Sequence, residues 1–383
     1  MKYKLGELCD VVSGGTPSRA ITEFWEGGTI PWIKIGNIKG KYVGEVDEYI
    51  TQAGLEGSSA KILSAGTILF TIFATLGEVG ILTIKACTNQ AIAGITIKNQ
   101  SEALTDYLYY FLKSKKSHVT ALGRGVAQNN INLSILRNFE VPIPALSTQK
   151  QIVDVLDKAE KIIEARQQQL QKLDELVKAR FVELFGDPLS NDKGWQRVLI
   201  TEVCHAIFGG GTPSKSHPEY FTGSIPWVSP KDMKSLVIND SIDHITEEAI
   251  AHSTTNLVPA NSVLMVIRSG ILKHTLPVAV NSLPVTINQD MKAFVPNDTV
   301  KTTFLMYFFK AIENDVLAGI RGVTADNIDF KAFQKRTIIV PPLALQEQFA
   351  AFVTQTDKSK VAVQKALDEA QLLFDSLMQK YFQ

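Results

Sequence analysis

The stretch Gly14-Gly15-Thr16-Pro17-Ser18 occurs a second time, unchanged, as Gly210-Gly211-Thr212-Pro213-Ser214. Glycine and proline in such a run are typical of a tight turn, and one copy alone is a weak signal. Its recurrence about half a chain length away is a stronger observation, because self-similarity at a fixed spacing indicates copies of one folded unit. The duplicated stretch therefore predicts two globular heads of the same fold.

Other short motifs recur in the same order. They are Ile30-Pro31-Trp32 with Ile225-Pro226-Trp227, Arg124-Gly125-Val126 with Arg321-Gly322-Val323, and Gln149-x-Gln151 with Gln346-x-Gln348. The offset changes only from 195 (30 to 225) to 197 (149 to 346), which needs only small loop insertions. Between these motifs the halves have diverged, as expected of two heads that share a scaffold and recognise different ligands.

Composition is that of a folded protein without a membrane span. The chain has 383 residues, of which 45% are hydrophobic and 20% charged, enough for two or three domains. The first residues lack the apolar core of a signal peptide, so we expect a cytoplasmic protein. Three cysteines without a Cys-x-x-Cys motif make disulfides and structural zinc improbable.

The formal net charge is +0. Residues 1–146 carry 14 Lys+Arg against 12 Asp+Glu, and residues 186–343 carry 14 against 15. Neither head is a polycation. A nucleic-acid ligand would therefore require basic residues gathered on one face, or a second subunit that supplies phosphate contacts.

Each head is followed by a long helical segment. The first is predicted over 147–185, beginning with a capping box at Thr148-x-x-Gln151 and ending at Phe185-Gly186-Asp187-Pro188, with Gly186 in the left-handed conformation. The second is predicted over 344–383. Together with heads over 1–146 and 186–343, this indicates an α+β protein in which β-rich heads alternate with long helices.

Apolar positions in both helices follow alternating steps of four and three, which predicts a coiled-coil seam. A surface helix packed on its own head would also show an apolar stripe. Two equally long helices with one seam favour mutual pairing, and the connectivity requires that pairing to be antiparallel, over about 57 Å. The predicted seam residues are Ile152, Leu156, Ile163, Leu170, Leu173, Val177, Leu184, Phe349, Val353, Val363, Leu367, Phe374, Leu377 and Tyr381.

Motifs for catalysis are missing from the sequence. There is no phosphate-binding Gly-x-x-x-x-Gly-Lys loop, no Gly-x-Ser-x-Gly elbow and no His-Glu-x-x-His pair. The six histidines are scattered, and five lie in the second half. Because a function that survives duplication should rest on duplicated residues, we expect a protein that is not an enzyme, and the scattered cysteines and histidines predict no metal site.

The order head, helix, head, helix resembles the specificity subunit of type I restriction-modification systems. The motifs that carry the resemblance are Gly-Gly-Thr-Pro-Ser with Ile-Pro-Trp in each head, Pro-Ile-Pro-x-Leu-x-x-Gln-x-Gln at 142–151, and Phe-x-x-Leu-Phe-Gly-Asp-Pro at 181–188. The likeness covers essentially the whole chain.

This resemblance implies that each head is a target recognition domain that binds one half of a bipartite site in double-stranded DNA. It implies that the helices set the gap and dock two methyltransferase subunits, with restriction subunits in the full complex. S-adenosylmethionine and ATP would then bind to those partners, and this chain would bind no cofactor itself. The resemblance implies no association with a membrane.

Candidate DNA contacts are basic or polar residues on the heads. The duplicated Arg124 and Arg321 are suited equally to a phosphate contact or a local salt bridge. The others lie where the halves differ, as base-specific contacts should, although a solvated surface is the commoner fate of such residues. They are Lys34, Lys39, Lys41, Gln128, Asn129, Lys231, Lys234, Arg268, Lys273 and His274.

Structural roles are favoured for the two repeated motifs themselves. For the Gly-Gly-Thr-Pro-Ser loop, a structural turn is favoured over a DNA contact. For Trp32 and Trp227, a place in the core is favoured over stacking on DNA bases. Two other functions stay open for the chain. One is a cytosolic scaffold whose heads bind proteins, which the neutral charge allows. The other is a nuclease, which the lack of a duplicated carboxylate-lysine pattern disfavours.

Overall fold

The computed structural model describes residues 1–123, 130–319 and 327–382. The chain folds into two units, one formed by Met1–Gln167 with Lys365–Gln383 and the other by Gln168–Gln364. Each unit contains one head, the N-terminal half of one long helix and the C-terminal half of the other. The predicted segments set the helices apart from the heads, whereas the structural units divide each helix in the middle.

The described residues of head one form ten strands, five short α-helices and two short 3₁₀ turns. The strands are β1 (Lys2–Lys4), β2 (Cys9–Ser13), β3 (Ile30–Ile33), β4 (Tyr42–Val43), β5 (Tyr49–Ile50), β6 (Ile68–Thr71), β7 (Val79–Leu82), β8 (Cys87–Thr88), β9 (Ile92–Ile97) and β10 (Glu140–Pro142). The helices are α1 (Leu5–Leu8), α2 (Gln52–Glu56), α3 (Thr105–Ser114), α4 (Lys116–Gly123) and α5 (Leu133–Arg137), and the long helix α6 (Leu146–Phe185) follows.

Head two repeats this order. Its strands are β11 (Gln196–Leu199), β12 (Cys204–Gly209), β13 (Ile225–Val228), β14 (Val237–Ile238), β15 (His244–Ile245), β16 (Val263–Val266), β17 (Val278–Asn281), β18 (Thr286–Ile287), β19 (Met291–Pro296) and β20 (Thr337–Val340). Its helices are α7 (Glu247–Ala251), α8 (Thr302–Ala311), α9 (Glu313–Ala318) and α10 (Phe330–Gln334), and the second long helix is α11 (Leu343–Phe382).

The two heads have the same sheet topology. Head one has a five-stranded sheet of order β2-β9-β6-β7-β4, a three-stranded sheet β5-β3-β8 and a two-stranded sheet β1-β10. Head two has the orders β12-β19-β16-β17-β14, β15-β13-β18 and β11-β20. In both five-stranded sheets only the last pair is parallel. The α+β class and the internal duplication predicted from the sequence are confirmed.

The core of each head lies between its five-stranded sheet and one aromatic helix. The central strands β6 and β16 read Ile-Leu-Phe-Thr and Val-Leu-Met-Val, and all of their residues are buried. Continuous apolar strands of this kind are covered on both faces. Helix α3 buries Tyr107–Leu112 and helix α8 buries Phe304–Phe309. Burying one such phenylalanine contributes about 1.5–3 kcal/mol.

A buried glutamine joins each head to its long helix. The side chain of Gln149 is fully buried, accepts a hydrogen bond from the Leu104 amide at 2.9 Å, and donates to the carbonyl oxygens of Glu102 and Pro144. Gln346 makes the corresponding bonds in head two, with Lys301, Thr299 and Pro341. The repeated Gln-x-Gln motif therefore marks a structural junction.

The predicted seam residues are all buried or half-buried. In the first unit, Ile152 and Leu156 of α6 belong to the same hydrophobic cluster as Phe374 of α11. In the second unit, Val177 of α6 shares a cluster with Phe349 of α11. Pairing of the two helices as a coiled coil stays a prediction that these contacts support.

One helix boundary differs from its prediction and another agrees. Helix α6 begins at Leu146, so Thr148 lies in the first turn and does not cap the helix. Helical hydrogen bonding begins directly after Pro144, since the amide of Gln149 donates to the Ala145 carbonyl oxygen at 3.0 Å. At the other end, Gly186 has φ +74°, as predicted for the residue after the helix.

Candidate nucleic-acid interface

The repeated Gly-Gly-Thr-Pro-Ser loop is held by the repeated tryptophan. In head one the Trp32 indole N–H donates to the carbonyl oxygen of Gly15 at 2.9 Å, and in head two Trp227 donates to Gly211 at 3.0 Å. Trp32 is 3% exposed. These contacts give both motifs a structural role, because they tie the loop to the three-stranded sheet of each head.

Glycine is required in this loop by close approach of the backbone. A Cβ atom on Gly14 would lie 2.2 Å from the carbonyl oxygen of Asn89, and one on Gly210 would lie 1.7 Å from that of Asn288. Both distances are far inside van der Waals contact, so any side chain would displace the loop from the sheet. The loop geometry is thus shared by the two heads while nearby surface residues differ.

Beside the loop, head one carries a compact ion network. The Arg19 guanidinium lies 3.6 Å from the centroid of the Trp25 ring and is paired with Glu48. The Lys34 ammonium lies 2.5 Å from the Glu48 carboxylate and 2.9 Å from that of Asp47. Hydrogen bonds donated to Glu48 and Asp47 raise the pKa of Lys34 above its ordinary value.

Lys34 and Lys39 are brought together, and Lys41 is separated from them. Lys34 and the exposed Lys39 line one hollow of about 380 Å³. The Lys41 side chain is only 10% exposed, and its ammonium lies 2.7 Å from Asp106 and 2.5 Å from Asp157 of α6. Burial lowers the pKa of Lys41, but hydrogen bonds to these two carboxylates outweigh burial and raise it overall. Lys41 therefore connects the head to the helix and is poorly placed for DNA.

Head two has an open cleft of about 720 Å³ in the corresponding place. Lys215 and Phe221 stand where head one has Arg19 and Trp25, and Ser229 stands where it has Lys34. The rings of Phe221 and Trp227 meet edge to face with centroids 5.9 Å apart. Serine cannot form the ion pairs that Lys34 forms, and the Ser229 hydroxyl instead donates a hydrogen bond to Asp232. Its polar and charged lining residues are Lys215, Ser229, Lys231, Asp243, Ser269, Asn288 and Asp290.

Two more of the predicted contacts lie at or near this cleft. Lys231 is exposed at its edge. Arg268 is 53% exposed and donates from its Nε to Asp290 Oδ1 at 2.5 Å. Lys273 and His274 are exposed on the short turn Gly270–Lys273 and just after it, and Lys234 is exposed two residues beyond Asp232. Arg124, Gln128, Asn129 and Arg321 lie outside the described residues.

Sequence reasoning missed part of this surface. Arg19 and Lys215 directly follow the repeated loop. Glu48 pairs with Arg19, and Asp243 lines the same cleft as Lys215. A basic residue immediately after Gly-Gly-Thr-Pro-Ser in both copies was the signal that could have revealed the first pair. The carboxylates carry no local signal, because their partners are distant in sequence.

Two further observations concern other classes of site. No group of three or more His, Cys, Asp or Glu side chains in the described part of the chain is arranged to hold a metal ion. None of the helices within residues 1–123, 130–319 and 327–382 combines the length and apolar character that a bilayer span requires.

Comparison with known proteins gives a consistent result. The family model described as the type I restriction modification DNA specificity domain matches residues 1–175 and again 192–370. The EcoR124I/EcoR124II specificity subunit of Escherichia coli is 31% identical over 314 residues, which cover 76% of this chain and 73% of that protein. The MjaIX specificity subunit of Methanocaldococcus jannaschii is 25% identical over 401 aligned residues, covering 98% and 91%.

Solved structures agree with respect to the fold. One similar chain comes from a structural study of complex assembly and conformational transition of the type I R-M system. Its TM-score is 0.63 at 19% identity, and the match covers 100% of this chain and 97% of that chain. The S subunit of a type I system from M. genitalium has a TM-score of 0.56 at 16% identity, covering 100% and 96%.

Proposed function

Because the chain belongs to the type I restriction-modification DNA specificity family and is a specificity subunit of such a system, we propose that each head binds one half of a bipartite DNA site. Sequence would be read by polar and basic side chains that enter the grooves, while other side chains contact phosphates. The family assignment supports this function and not the alternative of a protein-binding scaffold.

The observation that carries the proposal is one scaffold with two different surfaces. The sheets of the heads match strand for strand, and the loop and its tryptophan are held by the same hydrogen bond in both. The residues beside this loop nevertheless differ, with Lys34 and Gly36 in one head and the buried Ser229 and exposed Lys231 in the other. A shared frame with divergent surface groups is what recognition of two different half-sites requires.

The long helices provide the spacer in this proposal. Each has 40 residues, which corresponds to about 60 Å at ~1.5 Å per residue. Half-sites about one turn of DNA apart are separated by roughly 34–36 Å, so a spacer of this order can place two heads on one face of the duplex. Antiparallel pairing is supported by the distribution of buried seam residues, because each unit combines the start of one helix with the end of the other.

We further propose that catalysis belongs to partner subunits. Two methyltransferase subunits would dock on the helices, and restriction subunits would join the full complex, in the cytoplasm. S-adenosylmethionine and ATP would bind to those partners and not to this chain. Docking on the helices is supported by exposed apolar side chains along them, including Val182, Val361 and Leu372, since such groups are characteristic of interaction surfaces.

Exchange of one head tests the proposal. Residues 1–146 are replaced by the corresponding head of a related specificity subunit, the chain is assembled with its methyltransferase subunits, and the methylated sites are sequenced. One half of the site should change and the other half should stay. The matched control replaces residues 186–343 and should change the opposite half. A change of both halves by either exchange would contradict modular recognition.

A further inference from the structure

One surface position has the same backbone environment in both heads but a different side chain. Phe73 lies two residues beyond strand β6, and Arg268 lies two residues beyond strand β16. Each forms a single antiparallel bridge, Phe73 with Asn130 and Arg268 with Asn327. The two positions are therefore structurally equivalent.

Neighbouring hydrogen bonds confirm this equivalence. The amide of Ile72 donates to the carbonyl oxygen of Ala91 at 2.8 Å, and the amide of Ile267 donates to that of Asp290 at 2.8 Å. Ala91 and Asp290 are thus equivalent as well. Head one carries phenylalanine with alanine at this pair of positions, whereas head two carries arginine with aspartate.

In head two, Asp290 fixes the orientation of the Arg268 side chain. The Nε of Arg268 donates to Oδ1 of Asp290 at 2.5 Å. The side-chain Nδ2 of Asn288 donates to Oδ2 of Asp290 at 3.1 Å. The Asp290 backbone amide returns a hydrogen bond to Asn288 Oδ1. Asp290 is only 23% exposed, while Arg268 is 53% exposed. The carboxylate is thus fixed on the head, and the guanidinium extends from it towards solvent.

The two terminal nitrogens of Arg268 make no hydrogen bond to any residue that the structure describes, because its one bond uses Nε. A guanidinium fixed on one side presents a planar fork on the other. Such a fork matches two ligands, a phosphate or the O6 and N7 acceptors of guanine in the major groove.

The carboxylate in direct contact with Arg268 favours guanine. Asp290 pairs with the guanidinium, whereas the cleft beside it is balanced, with Lys215 and Lys231 against Asp243 and Asp290. A carboxylate held against the guanidinium repels a phosphate, while the edge of a guanine is uncharged. Holding the side chain before binding also reduces the conformational entropy lost on contact, which benefits a directional base contact more than a diffuse charge contact.

We propose that Arg268, oriented by Asp290, reads a guanine in the half-site of head two. Phe73 occupies the equivalent specificity position of head one, where its apolar and 38% exposed ring suits the methyl group of thymine. This inference rests on the proposed function, since it presupposes that each head binds one half-site.

The test is selection of duplexes from a randomised library by the complex of this chain with its methyltransferase subunits. The variants are Arg268→Ala, Arg268→Lys, which keeps the charge but loses the fork, and Asp290→Ala, which frees the arginine. Lys335→Ala, on an exposed lysine of the same head, is the control for loss of one positive charge. The unchanged half-site of head one reports that each variant is folded.

With the wild-type chain we expect a guanine at a defined position of one half-site. Arg268→Ala and Arg268→Lys should each reduce the preference for that guanine by about 5- to 150-fold, the value of one bidentate contact. Asp290→Ala should reduce it less, and Lys335→Ala should leave it unchanged. Replacing the guanine by 7-deazaguanine should weaken wild-type binding, while inosine, which keeps O6 and N7, should be accepted.

Other results would overturn the inference. If Arg268→Ala weakens binding equally for all sequences, the residue contacts phosphate. If it changes nothing, the ion pair is only structural. A wild-type complex that selects no two-part sequence would instead refute the proposed function, so the two failures are distinguishable.

Discussion

Substitution of Gln149 by alanine should destabilise the first unit strongly, although the residue is far from the proposed DNA surface. Its side chain is fully buried and forms three hydrogen bonds at 2.8–2.9 Å. These bonds connect the start of α6 with the chain before α3 and with Pro144. Alanine would leave the Leu104 amide and two carbonyl oxygens without their partner.

The magnitude follows from these contacts. Each hydrogen bond contributes about 0.5–1.5 kcal/mol, and a buried donor left without an acceptor adds a desolvation cost of about 1–3 kcal/mol. The free energy of unfolding should therefore fall by about 2.5–7.5 kcal/mol. Since a typical domain is stable by only about 5–15 kcal/mol, the loss should be obvious in urea denaturation.

The chain supplies a control from the same motif. Gln151 and Gln348 are exposed, so Gln151→Ala should change stability by less than about 0.5 kcal/mol. Gln346→Ala should have an effect similar to Gln149→Ala but in the second unit, because it removes the equivalent bonds. Hydrogen exchange would locate each effect, with faster exchange of the Leu104 amide in one variant and of the Lys301 amide in the other.

Two results would refute this reasoning. The first is a Gln149→Ala chain as stable as the Gln151→Ala chain, which would mean that water or a local shift replaces all three bonds. The second is full stability in Gln149→Glu. A carboxylate has nearly the same shape and can accept from the Leu104 amide, but it cannot donate to the carbonyl oxygens of Glu102 and Pro144.

Three further predictions concern the head-helix contact, the spacer and the charge. Lys41→Met should lower the free energy of unfolding by about 2 kcal/mol in urea denaturation, between the values for exposed and buried ion pairs, and Lys39→Met should have almost no effect. Seven residues inserted in register after both Gln167 and Gln364 should lengthen the gap of the methylated site by about 3 base pairs, because they add about 10 Å; an unaltered gap would contradict the spacer role. Binding of the isolated chain to duplex DNA should depend less steeply on salt than binding of the complex with methyltransferase subunits, because the neutral heads displace few counterions alone; equal slopes in a titration would contradict this.

Local and periodic features were predictable from the sequence. The duplication, the seam of α6 and α11, and the left-handed Gly186 each depend on a short pattern whose physical cause is local. The capping box at Thr148 was wrong because a Ser/Thr-x-x-Gln pattern also occurs within a first turn, and only the backbone at Pro144 determines where the helix begins.

Side-chain partners across the fold were not predictable. Lys41 was expected at the DNA surface, but its nearest carboxylate on α6 belongs to Asp157, 116 positions away. No pattern in the sequence links residues at that separation. The same limit applies to Arg268 and Asp290, whose pairing depends on two strand ends of one sheet meeting. Arg268 could be named as a candidate because the halves differ at that position. The orientation of its side chain could not be predicted.

The contrast between fixed and variable positions explains how such a head can change its specificity without changing its fold. At Gly210 any side chain would collide with the sheet, so this position has no freedom. At residues 73 and 268 the isolated bridge to Asn130 or Asn327 is made by backbone atoms, so it requires no particular side chain. Phenylalanine and arginine are therefore accepted on the same frame. Specificity residues should be found at positions of this second kind, where the backbone supplies the fold and the side chain remains available for the ligand.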